Sequence, residues 1–565
     1  MIVDSIFECS DDGTHLIGCK NKHVTSVVIP DTVTSIEQGA FKGCSALTSV
    51  TIPDSVISIG WSTFQDCTSL TTVTIPRSVT SIRKTAFMGC ISLTSVIIPD
   101  TVRSIGNSAF AGCSSLTSIT IPDSVRFIED WAFSECTGLT TVILGDSVIS
   151  IGKKAFEGCT SLNSISIPDT VTSLADGLFH RCRSLTSVAI GKSVTSIGKD
   201  AFTGCRSLTT ITIPDSVKSI GGGAFHNCTS LKTVIFGDSV TSIGESVFAG
   251  CTSLTSFDIP GTLTSLPDGM FLKCSSLISV TIPDSVENIG DFVFLNCPSL
   301  RSIEVGENNP NYSSVNGVLF SKDKTTLIMY PPAAGDSYTI PDSVTSVGDY
   351  ALLDCIALKT VTMPDSVKGI GEHAFGNCTA LASIVIPDST EYLGENAFEN
   401  CTSLATVILG GSVNSIGDSA FSGCTSLTSL IVPDSVISIG RGAFRGCTSL
   451  TSVILGGSVG SIGDSAFEGC DALRSVVIPV SVRFIGDSAF SECTELRYDV
   501  GPEVSQDEML EILRKRLGDQ GGFDDNSSEE RDMITYMDEK GENRVILEKL
   551  DAEHLRELLR DLMGM

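Results

Sequence analysis

The sequence predicts a β-rich α/β solenoid: a right-handed superhelix of about 21 coils with parallel strands, followed by a small helical tail. Three observations carry this. Nineteen of the 21 cysteines recur with a period of 23, in two runs, twelve from Cys44 to Cys297 and seven from Cys355 to Cys493. A fixed period in the 20–50 range is the signature of stacked supersecondary units. Within each period, apolar and polar residues alternate over a short stretch and then break at a proline or glycine, which is strand followed by turn. After Val500 the cysteines and the period both disappear, and a charged composition takes over.

Residues 1–23 stand outside the period and read as a cap, because the first coil of a stack exposes an apolar end that needs covering. Phe7 and Leu16 are the side chains expected to cover it. The coils follow over 24–500. A representative one holds Leu47, Val50, Ile52, Pro53, Val56, Ile59, Phe64 and Cys67, repeated one period on as Leu70, Val73, Ile75, Pro76, Val79, Ile82, Phe87 and Cys90. Val50 and Ile52 alternate with Ser49 and Thr51, so one strand face is buried. Pro53 cannot donate to a ladder and ends the strand. A second extended piece, Ser55 to Ile59, turns Val56 and Ile59 inward. The arc near Trp61 to Cys67 has room for about one helical turn. A single coil cannot bury these side chains, whereas stacking at roughly 4.8 Å places each phenylalanine of the series 41, 64, 87, 110 over the last. At that spacing about 21 rungs span on the order of 100 Å.

The unit from Leu300 to Ala334 is 35 residues long instead of 23, and its Val318-Leu-Phe and Leu327-Ile-Met-Tyr segments predict a protruding hairpin. Residues 499–565 contain 19 acidic and 9 basic side chains, and 501–565 reads as an acidic helical region. Ser505 and Glu508 form a capping box before Leu510, Leu513 and Leu517; Ser528 to Glu539 reads as a weaker helix. Asp551 caps a third helix with an apolar stripe of Leu555, Leu558, Leu559 and Leu562.

The repeat, LxxVxIPxxVxxIxxxxFxxC with recurring Ile-Gly and Ala-Phe pairs, resembles the leucine-rich repeats of the BspA-like family over residues 24–500. The enlarged unit, with its segment from Asn308 to Pro332, is similar to a feature of that family. The resemblance implies a leucine-rich-repeat solenoid, recognition of a partner and no reaction. Family members are binding proteins, often surface or secreted adhesins. The repeat pattern itself carries no shared binding residue and no ligand. A noncatalytic scaffold for a protein partner is the leading expectation, and an adhesion or glycan-binding module is the alternative.

Composition narrows the partner. A formal charge of −29 opposes nucleic acid and anionic lipid and favours a basic protein partner or cations. No window is apolar over 18 residues, so no membrane span is expected. The first residues lack the basic and apolar regions of a signal peptide, which favours the cell interior, whereas the family resemblance favours the cell surface or secretion. The cysteines are too far apart in sequence for paired metal ligands, the closest being Cys9 and Cys19. In-register Cβ atoms about 4.8 Å apart exceed the bridging range, so buried free thiols are expected on the lattice. Cys9 and Cys19 are the pair left open to a disulfide in an oxidising compartment.

No catalytic constellation, cofactor site or metal site emerges. The six histidines share no lattice, no GxSxG elbow occurs, and Gly221-Gly-Gly223 lacks the lysine of a phosphate loop. Two surface rows remain. Aspartate follows the strand proline in most coils, including Asp31, Asp54, Asp100, Asp123, Asp169 and Asp215. Such a row either binds calcium or caps its own turns through an amide two residues on. The outward strand position is mostly Thr, Ser or a lone Ile early in the chain, but Val385, Ile408, Ile431, Ile454 and Val477 form five consecutive apolar rungs. These five are the candidate partner-binding residues, because contiguous exposed apolar area marks interfaces.

Overall fold

The computed structural model describes residues 6–479 and 481–496, together with the backbone of 535–537 and 543–545. The chain divides into two compact units, Met1–Ser299 with Asn308–Pro310, and Leu300–Glu307 with Asn311–Met565. Each is a parallel-strand solenoid built from the same coil, with about 20 turns in all.

A coil has three sides. The first is a strand such as Ser49–Thr51, with Val50 buried and its neighbours exposed. The second is the two-residue strand Ser58–Ile59. The first strands pair in parallel from coil to coil, as Thr72↔Ser95 and Val73↔Val96 show, and Ser58–Ile59 pairs in parallel with Ser35–Ile36 of the coil before. Close stacking constrains the corner after the second strand. A Cβ on Gly106 would lie 2.7 Å from the backbone nitrogen of Lys84 in the preceding coil, so only glycine permits this approach.

The third side corrects the expected helical turn: among the described residues there is no helix. Two tight turns occupy it. Gln65 donates its amide to Ser62 O and Cys67 donates to Phe64 O. Left-handed backbone at Ser62 (φ 54°) and Asp66 (φ 60°) stops the helix from propagating. The alternate amides point along the stack instead, Phe64 to Ala86 O at 2.8 Å and Asp66 to Met88 O at 2.8 Å. The turn side thus ties a coil to the next, and one or both strand sides add a ladder.

The core is a set of columns. Phe41 to Phe133 stack with ring centroids 5.2–5.4 Å apart and nearly parallel planes. The lattice thiols are buried and hydrogen-bonded: Cys67 Sγ donates to Phe41 O at 3.1 Å, Cys90 to Phe64 O at 3.1 Å, Cys136 to Phe110 O at 3.1 Å. Burial pushes the Cys67 and Cys136 thiols up to about 12. Cys19 donates to Asn21 O and faces Phe7 across the first hairpin, while Cys9 faces Leu16.

At the start of the first unit, Phe7–Cys9 and His15–Cys19 pair antiparallel, and His15–Cys19 leads in parallel to Ser35–Ile36. Phe7 and Leu16 are buried, with the Phe7 ring edge-on to Phe41 at 6.2 Å. The turn is held by one carboxylate: Ser10 Oγ, Thr14 N and Thr14 Oγ1 all donate to Asp12 Oδ1.

The enlarged unit does not protrude. Tyr312–Val315, Val318–Ser321 and Thr326–Met329 form an antiparallel meander that heads the ten-stranded sheet of the second unit. Val318, Leu319, Phe320 and Leu327 are buried, since the first coil of this unit offers an apolar end. Asn316 and Gly317 both adopt positive φ, as a two-residue hairpin loop with the right twist requires. Its second turn copies that of the first hairpin: Ser321 Oγ, Thr325 N and Thr325 Oγ1 donate to Asp323 Oδ1, and Thr326 N donates to Ser321 Oγ.

Most of the predicted helical tail lies outside the described residues. Where it is described, Thr535–Met537 is a strand paired antiparallel with Asn543–Val545, within and beyond the segment expected as the second helix. The β-branched and aromatic Thr535 and Tyr536 favour this state. Among the described residues, no helix is long and apolar enough to cross a membrane.

Candidate functional site

Because valine and isoleucine of the first strand point inward, the alternate positions form columns on the outer surface. Ser49, Thr51, Thr72 and Thr74 are exposed, each aligned with its counterpart in the next coil. Where a threonine stands just before the strand it is used internally: Thr48 Oγ1 donates to Thr25 O and Thr71 Oγ1 to Thr48 O. The outward column of the first unit is therefore mostly a row of uncharged hydroxyls, interrupted by exposed Val28, Ile97, Ile143 and Ile235 and by one carboxylate, Asp258.

The predicted apolar stripe falls in the second unit and is shorter than expected. Val385 is 56%, Ile408 54% and Ile431 49% exposed, but Ile454 is only 7% exposed. Val477 is half-buried. Outward direction on a strand is set by alternation, whereas exposure depends on what lies above it, so the two part at Ile454. The register is also interrupted. Val385 pairs with Ile408, and Ile431 with Ile454 and then Val477, but the Thr406–Ile408 and Ser429–Ile431 strands belong to separate sheets.

Several members of the aspartate row bond along the stack and not within their own turn, whereas Asp31, Asp54, Asp100 and Asp215 show no side-chain bond of either kind among the described residues. Asp123 Oδ1 accepts from Asp146 N at 2.9 Å, Asp169 from Lys192 N at 2.7 Å, Asp388 from Gly411 N at 2.8 Å and Asp434 from Gly457 N at 2.7 Å. In each case the accepting coil carries proline and the donating coil glycine before the amide. Gly410 shows why: a Cβ there would meet Pro387 O at 2.1 Å, so glycine lets the turn settle on the coil before it. A second row, after the Ile-Gly corner, repeats the device. Asp130 accepts from Lys153 N, Asp176 from Lys199 N and Asp418 from Arg441 N. These carboxylates are engaged by amides, and among the described residues no three acidic, histidine or cysteine side chains converge as a metal site.

Sequence reasoning missed one irregularity. Between the coils of Thr233–Phe236 and Ser256–Asp258, neither the first nor the second strands are paired. The responsible residues depart from the repeat. Phe236 and Phe257 stand where other coils hold isoleucine and valine, and Pro267 stands at the Ile-Gly corner. A cleft of about 540 Å³ opens there. The signal was available as large residues at positions that the repeat keeps smaller.

The sequence matches the family described as BspA type leucine rich repeat region (6 copies) over residues 18–136, 80–209, 195–324, 334–434 and 414–503. No curated protein matches the chain. Among solved structures, a leucine-rich repeat protein from Eubacterium ventriosum is 31% identical with a TM-score of 0.52, covering 57% of this chain and 87% of its own. One from Bacteroides ovatus is 28% identical with a TM-score of 0.39, covering 76% and 92%. A leucine rich cell surface protein from Faecalibacterium prausnitzii is 24% identical with a TM-score of 0.28, covering 92% and 96%.

Proposed function

We propose, from the fact that the chain belongs to the BspA type leucine-rich-repeat family, that it is a noncatalytic scaffold holding a protein partner along its repeat surface. One observation carries the reading. The reactive side chains of the coil serve the fold, thiols bonding to carbonyls and aspartates to amides, while the outward strand positions are left to face solvent. In the second unit those positions present Val385, Ile408 and Ile431 as exposed apolar rungs. Apolar contact supplies affinity, and the −29 formal charge favours a partner with basic character through steering. The test is capture of partners from a lysate by the intact chain and by Ile431→Asp, with folding checked by circular dichroism. A folded variant that loses a partner supports the scaffold; a variant that keeps every partner removes the stripe from it.

A second reading, a cell-surface or secreted adhesion module that binds glycans, is favoured by the uncharged hydroxyl column and by the exposure of both tryptophans, Trp61 and Trp131. Aromatic faces and hydroxyls suit sugars, since a ring buries apolar area beside polar contacts. Detection on the cell surface together with saccharide binding, lost in Trp61→Ala, separates it from the first.

A further inference from the structure

In the first unit, parallel pairing persists on at least one strand side at the other junctions between coils from Ser26 onward; between Thr233–Phe236 with Ser242–Ile243 and Ser256–Asp258 with Ser265–Leu266, it stops on both. Two causes act together. On the first-strand side, Phe236 and Phe257 wedge the core: their centroids are 5.4 Å apart in edge contact, and Phe257 also lies 4.8 Å from both Phe248 and Phe271. The Phe248 to Phe271 spacing widens to 6.1 Å. On the second-strand side, the corner residue ordinarily donates to the preceding coil, as Gly244 does to Ile220 O and Gly290 to Leu266 O. Pro267 has no N–H to donate to Ile243 O. The turn side stays closed, with Ser246 N bonded to Asp268 O and Gly250 N to Leu272 O. At the corner between the two strand sides Thr262 Oγ1 still donates to Val240 O, so the two coils part only along their strands.

What the splay exposes is chemically specific. Its volume lies in the range of roughly 300–1,000 Å³ typical of ligand pockets. Its walls are two strand edges with no ladder between them, which offer backbone donors and acceptors to an extended peptide. Ile235, 51% exposed, supplies an apolar patch in the lining. Asp238 and Asp258 also line it, and neither side chain has a hydrogen bond or ion pair among the described residues; Asp238 shares this with Asp54 and Asp100 of its row and differs from Asp123 and Asp169. Asp258 replaces the hydroxyl or aliphatic residue that other coils of this unit place at the outward strand position.

We infer that this cleft seats a short extended segment of a protein partner whose lysine or arginine side chain lies between Asp238 and Asp258, with its methylene stem on Ile235. The inference rests on the scaffold reading and names where a basic partner is gripped. A long basic side chain fits such a place because its stem is apolar and its head cationic.

The probe is a fluorescein-labelled, blocked peptide Ala-Ala-Arg-Arg-Ala-Ala, with Ala-Ala-Glu-Glu-Ala-Ala as its counterpart, titrated against the intact chain by anisotropy at physiological salt. The arginine peptide is expected to bind and the glutamate peptide not to. D238N/D258N is expected to weaken binding at least tenfold, and D31N/D54N, which removes the same charge elsewhere, less than twofold. Phe236→Ile with Phe257→Val restores repeat-sized side chains; it is expected to slow hydrogen exchange at 233–236 and 256–258 and also to weaken binding. Equal loss from both aspartate pairs, or no binding of the arginine peptide, overturns the site. If the peptide fails but Ile431→Asp still loses a captured partner, the cleft is wrong and the scaffold stands; if both fail, the scaffold falls too.

Discussion

Phe225→Ala places the largest available defect inside one column of the core. The ring is fully buried and lies between Phe202 at 5.2 Å and Phe248 at 5.5 Å, nearly parallel to both. At ~25 cal/mol per Å², the roughly 130 Å² of aromatic surface removed corresponds to about 3 kcal/mol. The cavity and two lost ring contacts raise the total to about 3–5 kcal/mol. Because coils bond only to their neighbours, the loss is local. Phe225 N donates to Val247 O, and Cys251 Sγ donates to Phe225 O, so the amides of these adjoining coils report it. Their exchange is expected to accelerate by about two to three and a half decades, at ~1.4 kcal/mol per decade. Thr212→Ala, on the exposed face of the same unit, is expected to stay within about 0.5 kcal/mol. Acceleration spread evenly over the whole unit, or equal effects of the two substitutions, would refute the stacked-column account.

The thiols make stability fall with alkalinity. Burial holds Cys67 and Cys136 neutral up to about 12 against an ordinary 9.0, so their contribution is complete below about pH 8.5 and is lost as pH rises toward 12. Denaturant midpoints measured from about pH 8 to pH 11 are expected to decline, and native thiols to react slowly with an aromatic disulfide; pH-independent midpoints contradict this. Asp388→Ala removes the acceptor of Gly411 N–H, and exchange is expected to speed at Gly411 while distant coils keep their protection. Hydrogen bonds from Ser10 and Thr14 lower the Asp12 carboxyl to about 2 from 3.8. Its contribution to the hairpin is therefore present above about pH 4 and lost as pH falls toward 2; an NMR titration midpoint near 4 contradicts the turn network.

The stacking was legible because one unvarying step, from Phe41 to Phe64 to Phe87, admits one physical answer: Phe over Phe, Val over Val, thiol over thiol. The tight-turn side admits a helical turn by length alone; the recurrent Gly43, Gly89, Gly112 and Gly158 in the column of Asp66 signal the left-handed backbone that prevents one, whereas Ser62 carries no such signal. Asp388 and Asp434 were legible as caps, but their partners lie a full coil away, which only the stack reveals. The apolar rungs were found by alternation, yet coverage of Ile454 is not a property of alternation. The wedge at Phe236, Phe257 and Pro267 was visible as three departures from the repeat, and a consensus reading averages such departures away. In the tail, Thr535 and Tyr536 before Gly541 form a hairpin signal that the charged residues around them obscured.

The twin turns at Asp12 and Asp323 bear on where such a chain can begin. Each hairpin ends in a strand that accepts a first coil, so the meander at Tyr312–Met329 serves as a beginning placed in the middle of a polypeptide. A coil needs only a compatible predecessor, and this hairpin is one. The second unit, which includes Leu300–Glu307 beside the meander, thus carries its own point of departure, from which coils are counted afresh one whole period at a time.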